Sequence, residues 1–130
     1  MSDVEKKKIL MVDDDEIQLM TAEAMLMSQY LIFTARSGKE AIDYFLHGQI
    51  PDLILLDIMM PDMDGWETYN RLRAVSKLKD VPIAFLTSIT DSFEKSRAMG
   101  MGVADFITKP FDQDSLLSRV KNIMEMAQKS

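Results

Sequence analysis

Short apolar runs alternate along the chain with longer stretches in which apolar residues recur every three or four positions. The runs are rich in β-branched residues and almost continuously apolar, which is typical of strands covered on both faces of a sheet. The pattern predicts strands over residues 9–12, 31–34, 53–56, 83–86 and 103–107.

Helical periodicity fills each interval between the predicted strands and the stretch after the last one. Ser37 with Glu40, and Asp64 with Glu67, have the spacing of capping boxes, which predicts where two of the helices begin. Residues 91–99 predict a weaker helix, because few positions there are apolar. The apolar positions of the five predicted helices are, in chain order, Ile17, Met20, Ala24 and Met27; Ala41, Ile42 and Phe45; Trp66, Tyr69, Leu72 and Val75; Phe93, Ala98 and Met99; and Leu116, Leu117, Val120, Ile123 and Met124.

Successive β-α units predict a parallel sheet with helices on both faces, which is a three-layer α/β domain. The expected arrangement is a doubly wound, flavodoxin-like sheet of five strands in the order 2-1-3-4-5 with five helices. Ligands of such folds bind where the strand order reverses, outside the carboxyl ends of the first and third strands. We expect this domain to span residues 8–127, with a disordered N-terminal tail over 1–7 and a C-terminal tail over 128–130.

With 130 residues, 47% hydrophobic and 28% charged, the chain has the size and balance of one ordinary globular domain. It contains no cysteine, which excludes disulfides and thiolate metal sites and suits a cytoplasmic location. The net charge of −6 disfavours direct binding to nucleic acid, because phosphate backbones would be repelled. The apolar runs are too short to cross a membrane, and the N-terminal segment does not have the pattern of a secretory leader.

Four of the five predicted strands are followed by polar residues, which the parallel topology brings to one edge of the sheet. Each of these residues alone has an ordinary explanation as a helix cap, a turn former or a common strand residue. Asp57, however, leaves a run of four apolar residues, so its carboxylate needs a partner. The residues at this edge are Asp13, Asp14 and Asp15 after the first strand, Asp57 after the third, Thr87 and Ser88 after the fourth, and Thr108, Lys109 and Pro110 after the fifth.

The carboxylates of Asp13, Asp14 and Asp57 are predicted to converge at the switch point of the sheet. They would repel one another strongly unless a cation lies among them, and oxygen ligands suit a hard ion such as Mg²⁺ or Mn²⁺. Lys109 and the hydroxyl of Thr87 at the same edge complete a site for a phosphoryl group. The metal and the lysine can neutralise its charge, and the hydroxyl can donate a hydrogen bond to it.

Four segments of the chain together resemble the receiver domains of two-component response regulators. They begin at Ile9, Leu53, Phe85 and Phe106 and read ILMVDDD, LILLDIMMPDMDG, FLTS and FITKPF. The resemblance extends from about residue 8 to about residue 127. It implies a cytoplasmic signalling switch that accepts a phosphoryl group from a sensor histidine kinase or a phosphotransfer protein. Such a switch is not an enzyme in the usual sense, because it catalyses only its own phosphorylation and dephosphorylation.

The resemblance also implies a role for each matching residue of the metal and phosphoryl site. Asp57 matches the phosphoacceptor, Asp14 the direct ligand of Mg²⁺, and Asp13 its water-mediated neighbour. The main-chain carbonyl of Met59 matches the third protein ligand of the metal, so its side chain need not be polar. Lys109 matches the lysine that binds the phosphoryl group.

The switch of the family is matched by Thr87, as the mobile hydroxyl, and by Phe106, as the aromatic residue of the fifth strand. We expect phosphorylation to draw Thr87 toward Asp57 and to let Phe106 rotate inward. The change would alter the face formed by the fourth helix, fifth strand and fifth helix. An output domain, a downstream protein or a second phosphorylated copy would dock on that face. The bond between Lys109 and Pro110 matches a cis peptide of the family.

The lifetime of the phosphoryl group depends on the side chains that flank the attacking water. Met59 and Ile89 lie two residues beyond the acceptor and the switch hydroxyl, where those side chains are expected. Neither can hydrogen-bond a water, so slow hydrolysis is predicted. Gly65 fits a close turn into the third helix.

Other interpretations stay open on the sequence. A haloacid-dehalogenase-like phosphatase would use Asp13 of Asp13-x-Asp15 as its nucleophile, although Ile17 stands where that family has Thr or Val. A pseudo-receiver would dock partners without taking phosphate, and a flavodoxin-like FMN carrier would need a phosphate loop that the sequence after the first strand lacks. The 12 methionines fit flexible core packing better than a cofactor site, and His47 is expected at the surface.

Overall fold

A computed structural model of the chain describes residues 6–46, 48 and 50–128. Its strands are β1 (Lys8–Val12), β2 (Leu31–Ala35), β3 (Leu53–Leu56), β4 (Ile83–Thr87) and β5 (Phe106–Thr108). Its helices are α1 (Glu16–Leu26), α2 (Gly38–Leu46), α3 (Gly65–Arg73), α4 (Ser92–Met101) and α5 (Gln113–Gln128), with a short 3₁₀ turn at Ser76–Leu78. The strands are parallel and lie in the order β2-β1-β3-β4-β5, which confirms the predicted topology.

Some of the sequence predictions lie outside the described residues. They concern His47, residues 1–5 of the predicted N-terminal tail, and residues 129 and 130 of the predicted C-terminal tail. Within the described part of the chain, no helix is long and apolar enough to span a membrane.

Two apolar layers cover the two faces of the sheet, because alternate residues of each strand point to opposite sides. On one face Leu10, Ile54 and Phe85 pack beneath α2, α3 and α4, and on the other Ile9 and Leu55 pack beneath α1 and α5. β3 and β4 are buried along their whole length. Their near-continuous apolar sequence is therefore explained by burial on both faces, as the strand pattern predicted.

The apolar stripe predicted for α1 faces solvent, so this part of the prediction was wrong. Ile17, Met20 and Met27 are 73%, 62% and 56% exposed, whereas the inward face is formed by Leu19, Ala22 and Leu26. Both sides of the helix carry apolar residues at helical spacing, so periodicity alone could not choose between them. Burial of the shorter Leu-Ala-Leu face lets α1 pack close to α5.

The fifth strand is shorter than predicted and begins at Phe106 rather than at residue 103. α4 ends at Gly102, which has a left-handed φ of 95°, and the N–H of Val103 closes the helix by donating to the carbonyl of Ala98 at 3.4 Å. Val103 is nevertheless buried in the core. Its apolar character therefore comes from the end of a helix and not from a strand.

The predicted capping residues begin their helices. Asp64 accepts the N–H of Glu67 at 2.9 Å, and Ser37 accepts the N–H of Glu40 at 3.0 Å. Asp15 begins α1 in the same way: it accepts the N–H of Ile17 at 2.9 Å, and its own N–H donates to the carboxylate of Asp13 at 3.0 Å. The cap of α1 is thus linked directly to the acidic edge of the sheet.

Candidate functional site

The register of the central strands brings the polar residues after them side by side. Val12 pairs with Leu56, so Asp13 and Asp57 leave neighbouring strands at the same level. The N–H of Asp57 donates to the carbonyl of Val12 at 2.9 Å, and the N–H of Lys109 donates to the carbonyl of Thr87 at 2.8 Å. The backbone ladder therefore continues just beyond the strands and fixes where these side chains start.

Lys109 joins two of the carboxylates. Its Nζ lies 2.7 Å from Oδ2 of Asp13 and 3.3 Å from Oδ2 of Asp57. Asp13 and Asp57 are only 6% and 7% exposed, so these ion pairs are largely shielded from solvent. A buried pair of carboxylates needs this cation, because without it their mutual repulsion and lost hydration would both be uncompensated.

The environment of Asp57 disfavours its ionised form. Burial is the largest influence and raises the pKa of the Asp57 carboxyl above its ordinary value of 3.8. The Lys109 ammonium lowers this pKa, the Asp13 carboxylate raises it again, and hydrogen bonds from the Met59 N–H and the Thr87 hydroxyl lower it. A positive charge brought to this carboxylate would therefore be strongly favoured.

The carboxylates of Asp13, Asp14 and Asp57 form a cluster in which one oxygen from each lies within 4.8 Å of the others. Asp14 is exposed and completes the outer side of this cluster. Three carboxylate oxygens at such spacing suit a hard divalent cation, and Met59 lines the same cleft. The donor set thus fits the Mg²⁺ or Mn²⁺ that the sequence predicted.

An open cleft of about 510 Å³ lies over this cluster. The cleft is large enough for a phosphoryl group with its water shell. The residues that line it are Asp13, Asp14, Asp15, Gln18, Asp57, Met59, Ser88, Lys109 and Pro110. Gln18 lines the cleft because it belongs to the first turn of α1, which begins beside Asp15.

Comparison with known proteins identifies this arrangement. The sequence profile described as the response regulator receiver domain matches residues 9–121. The chain belongs to this family. The matched residues include Asp13, Asp14, Asp57 and Lys109, so the family assignment extends over the acidic cluster as well as the fold.

Solved structures agree with this receiver assignment. A chemotaxis protein CheY4 of Vibrio cholerae superposes with a TM-score of 0.83 at 29% identity, covering 91% of this chain and 98% of that one. The signal receiver domain of a histidine kinase from Syntrophus aciditrophicus gives a TM-score of 0.82 at 33% identity, covering 95% and 94%. The phosphatase and FMN-carrier interpretations find no support in these similarities.

Curated relatives are longer than this receiver chain. The cell cycle response regulator CtrA of Brucella ovis is 37% identical over 120 residues, which cover 90% of this chain and 50% of the relative. The response regulator PleD of Caulobacter vibrioides is 33% identical over 117 residues, or 89% and 26%. The chain thus spans half or less of the length of these relatives.

The two predicted switch residues of the receiver lie on neighbouring strands. Thr87 is fully buried, and its Oγ1 accepts the N–H of Ile89 at 3.3 Å. Phe106 is 1% exposed and lies edge-on to Phe85, with ring centroids 6.3 Å apart. The ring of Phe106 is already buried in this structure, and its rotation on phosphorylation stays a prediction.

Two backbone features predicted from the resemblance are present in the receiver. The bond between Lys109 and Pro110 is cis. A Cβ added to Gly65 would lie 2.5 Å from the carbonyl oxygen of Asp57 and 2.5 Å from Cα of Ile58, so a side chain there would press on the backbone that carries the acidic cluster. The turn into α3 is therefore as close as the sequence predicted.

Proposed function

We propose that Asp57 is the phosphoacceptor of this receiver domain and that the donor is a phosphohistidine of a sensor histidine kinase or a phosphotransfer protein. The observation that carries the proposal is the position of Asp57. It is a nearly buried carboxylate that shares Lys109 with Asp13 and lines an open cleft. Lys109 forms ion pairs with both carboxylates, so its ammonium group is placed to stabilise the negative charge that a phosphoryl group would add.

The reaction is a displacement at phosphorus. An oxygen of the Asp57 carboxylate forms the new P–O bond while the P–N bond of the phosphohistidine breaks, and the bonding electron pair returns to the imidazole of the donor. Lys109 can neutralise the charge of the phosphoryl oxygens. A bound Mg²⁺ or Mn²⁺, held by Asp13, Asp14, Asp57 and the Met59 carbonyl, would supply further neutralisation of their charge.

Charge balance explains why the site needs both a metal and a lysine. Formally, three carboxylates carry a charge of about −3, and a divalent ion with one lysine balances them. Phosphorylation replaces one carboxylate charge by about −2, so the product attracts additional donors. Thr87 is suited to this role, because it is buried at the end of the strand beside the one that Asp57 follows and it lowers the pKa of Asp57.

The donor protein needs a surface beside the cleft. Ile17 and Met20 on the outer face of α1 are exposed apolar residues, and Met59 on the loop after β3 is an exposed apolar residue of the cleft itself. An exposed apolar stripe of this kind marks a protein contact. We expect the phosphohistidine-bearing protein to cover α1, while the face of α4, β5 and α5 stays free for an output domain, a downstream protein or a second phosphorylated copy.

Labelling with a small donor tests the proposed acceptor. With acetyl phosphate and Mg²⁺ the protein should gain the mass of one phosphoryl group, and hydroxylamine should remove it because an acyl phosphate is labile. Asp57→Asn should abolish the adduct, and Asp14→Asn should slow its formation. If Asp57→Asn is still labelled and Asp13→Asn is not, Asp13 is the nucleophile and the proposal fails. A wild-type protein that takes no label would favour a docking pseudo-receiver.

A further inference from the structure

An unbroken row of aromatic rings runs from β5 across the sheet to α3. Phe106 is edge-on to Phe85 at 6.3 Å, and Phe85 is edge-on to Trp66 at 5.1 Å, between ring centroids. Arg97 of α4 ends the row, because its guanidinium carbon lies 4.1 Å from the centre of the Trp66 ring. Edge-to-face and cation–π contacts of this geometry are each attractive, so neighbouring members of the row stabilise one another.

α4 has little other attachment to the body of the domain. Of its residues, all of which are described, only Ala98 is buried. Its C-terminal end is held by the hydroxyl of Tyr69, which donates to the carbonyl of Met101 at 3.0 Å. Phe93, in the first turn, is 73% exposed. The contact between Arg97 and Trp66 is therefore one of the main contacts that attach the middle of α4 to the core.

The conformation that contains this row is the one suited to phosphorylation. Phe106 is buried in it, and so is Thr87, which lies on the same strand as Phe85 and ends that strand beside the one that Asp57 follows. Phe85 pairs with Phe106 in register, and Thr87 lies two residues beyond Phe85. Because one strand carries both Phe85 and Thr87, packing of the row and placement of the hydroxyl are mechanically linked.

We infer that Arg97 is a positioning residue for the phosphoryl transfer: by lying on Trp66 it holds α4 against the aromatic row and favours the arrangement in which Phe106 is buried and Thr87 faces Asp57. The inference rests on the proposed function of Asp57. Arg97 does not touch the cleft, so it acts only through the population of this arrangement. A ligand that binds this arrangement better, such as the phosphoryl group, strengthens the contact in return.

The chemistry of the contact suits an arginine. A planar guanidinium can stack on the indole while its edge stays available for an ion pair, and NH1 of Arg97 lies 3.7 Å from Oε2 of Glu94 on the same helix. The Arg97 side chain is 49% exposed, so the contact is weak enough to break and re-form. A contact of this strength changes an equilibrium by a factor of about two to five.

Three single substitutions test the inference on the complete chain. Arg97→Gln removes the cation, Arg97→Lys keeps a cation that can lie on the ring, and Arg71→Gln is the matched control. Arg71 also pairs with a glutamate on its own helix, with NH2 of Arg71 2.8 Å from Oε2 of Glu67, but it has no described ring contact. Trp66 is the sole tryptophan, so its fluorescence reports the contact directly.

The assays are the rate of phosphorylation by acetyl phosphate in Mg²⁺, the affinity for fluoroberyllate, and acrylamide quenching of Trp66. Arg97→Gln should slow phosphorylation and weaken fluoroberyllate binding by a factor of about two to five, and should expose Trp66 to quencher. Arg97→Lys should recover at least half of each effect, and Arg71→Gln should match the wild type. Equal rates for the two glutamine variants, or a faster Arg97→Gln, would overturn the inference. A wild type that takes no phosphoryl group would instead overturn the proposed function.

Discussion

Substitution of Gly65 by alanine perturbs the acidic cluster without touching a charged group. The added Cβ would lie 2.5 Å from the carbonyl oxygen of Asp57 and from Cα of Ile58, and ordinary contact begins at 3.4 Å. The backbone after β3 and the start of α3 must therefore separate by about 0.9 Å. Neither atom belongs to a flexible side chain that could move aside. A forced shift of this size in a packed interior costs about 1–3 kcal/mol of stability.

The same shift should slow phosphorylation by more than the loss of stability alone would explain. A misplacement of about 1 Å at a reacting group can cost about a hundredfold in rate, because the attacking oxygen must stay in line with phosphorus. We expect Gly65→Ala to fold, to melt at a lower temperature, and to react with acetyl phosphate about 10- to 100-fold more slowly. The assays are thermal unfolding and the rate of mass gain at saturating Mg²⁺.

Gly100→Ala is the matched control, because a Cβ at Gly100 meets nothing within 4 Å. This position lies in α4, where alanine stabilises a helix by about 0.5–1 kcal/mol relative to glycine. Its phosphorylation rate should stay close to that of the wild type. If Gly65→Ala keeps both the wild-type stability and the wild-type rate, the close approach of α3 to Asp57 does not position the acceptor, and the reasoning is refuted.

Further predictions concern the phosphoryl group, the metal and the pH dependence of stability. Replacing Met59 by Asn and Ile89 by Glu should supply side chains that hydrogen-bond the attacking water. Dephosphorylation should then be about tenfold faster or more, which lowers its activation barrier by about 1.4 kcal/mol. Equal rates of dephosphorylation after removal of the donor would show that other groups position the water. Mg²⁺ at a hundredfold excess over its dissociation constant should stabilise the wild type by about 2.7 kcal/mol in thermal unfolding. Asp14→Ala should lose this response, and an unchanged response would remove Asp14 from the metal site. In metal-free buffer Asp57→Asn should melt above the wild type at pH 7, because the raised pKa of Asp57 means that its ionised form destabilises the folded state. This destabilisation develops as the pH rises from 3.8, the ordinary pKa of an aspartate, through the higher pKa of Asp57 in the folded protein. The melting temperatures of the wild type and of Asp57→Asn should therefore converge below pH 3.8. A difference between them that grows as the pH falls would contradict the raised pKa.

The strand pattern was sufficient to predict the topology and the acidic edge. β3 and β4 are buried on both faces, so their apolar runs carry little ambiguity, and the parallel order brings Asp13, Asp57 and Lys109 together. The residues that end these strands could therefore be placed before any distance was known. Their chemical roles stay predictions until labelling assigns them.

The orientation of α1 and the start of β5 could not be predicted in the same way. α1 has apolar residues on both sides, and burial of Leu19 rather than Ile17 depends on packing against α5. Val103 is buried in the core just after the end of α4, and its apolar character alone cannot be distinguished from that of a strand residue. The stacking of Arg97 on Trp66 joins residues of two different helices, and neither has a sequence signal that points to the other.

Chemical mapping of the phosphorylated residue tests the central claim most directly. Sodium borohydride reduces an acyl phosphate to an alcohol, so an aspartyl phosphate becomes homoserine, which peptide mass spectrometry can locate. After incubation with acetyl phosphate and Mg²⁺, we expect homoserine at position 57 and unmodified aspartates at positions 13 and 14. Homoserine at position 13, or a phosphorylated protein without homoserine at position 57, would contradict it.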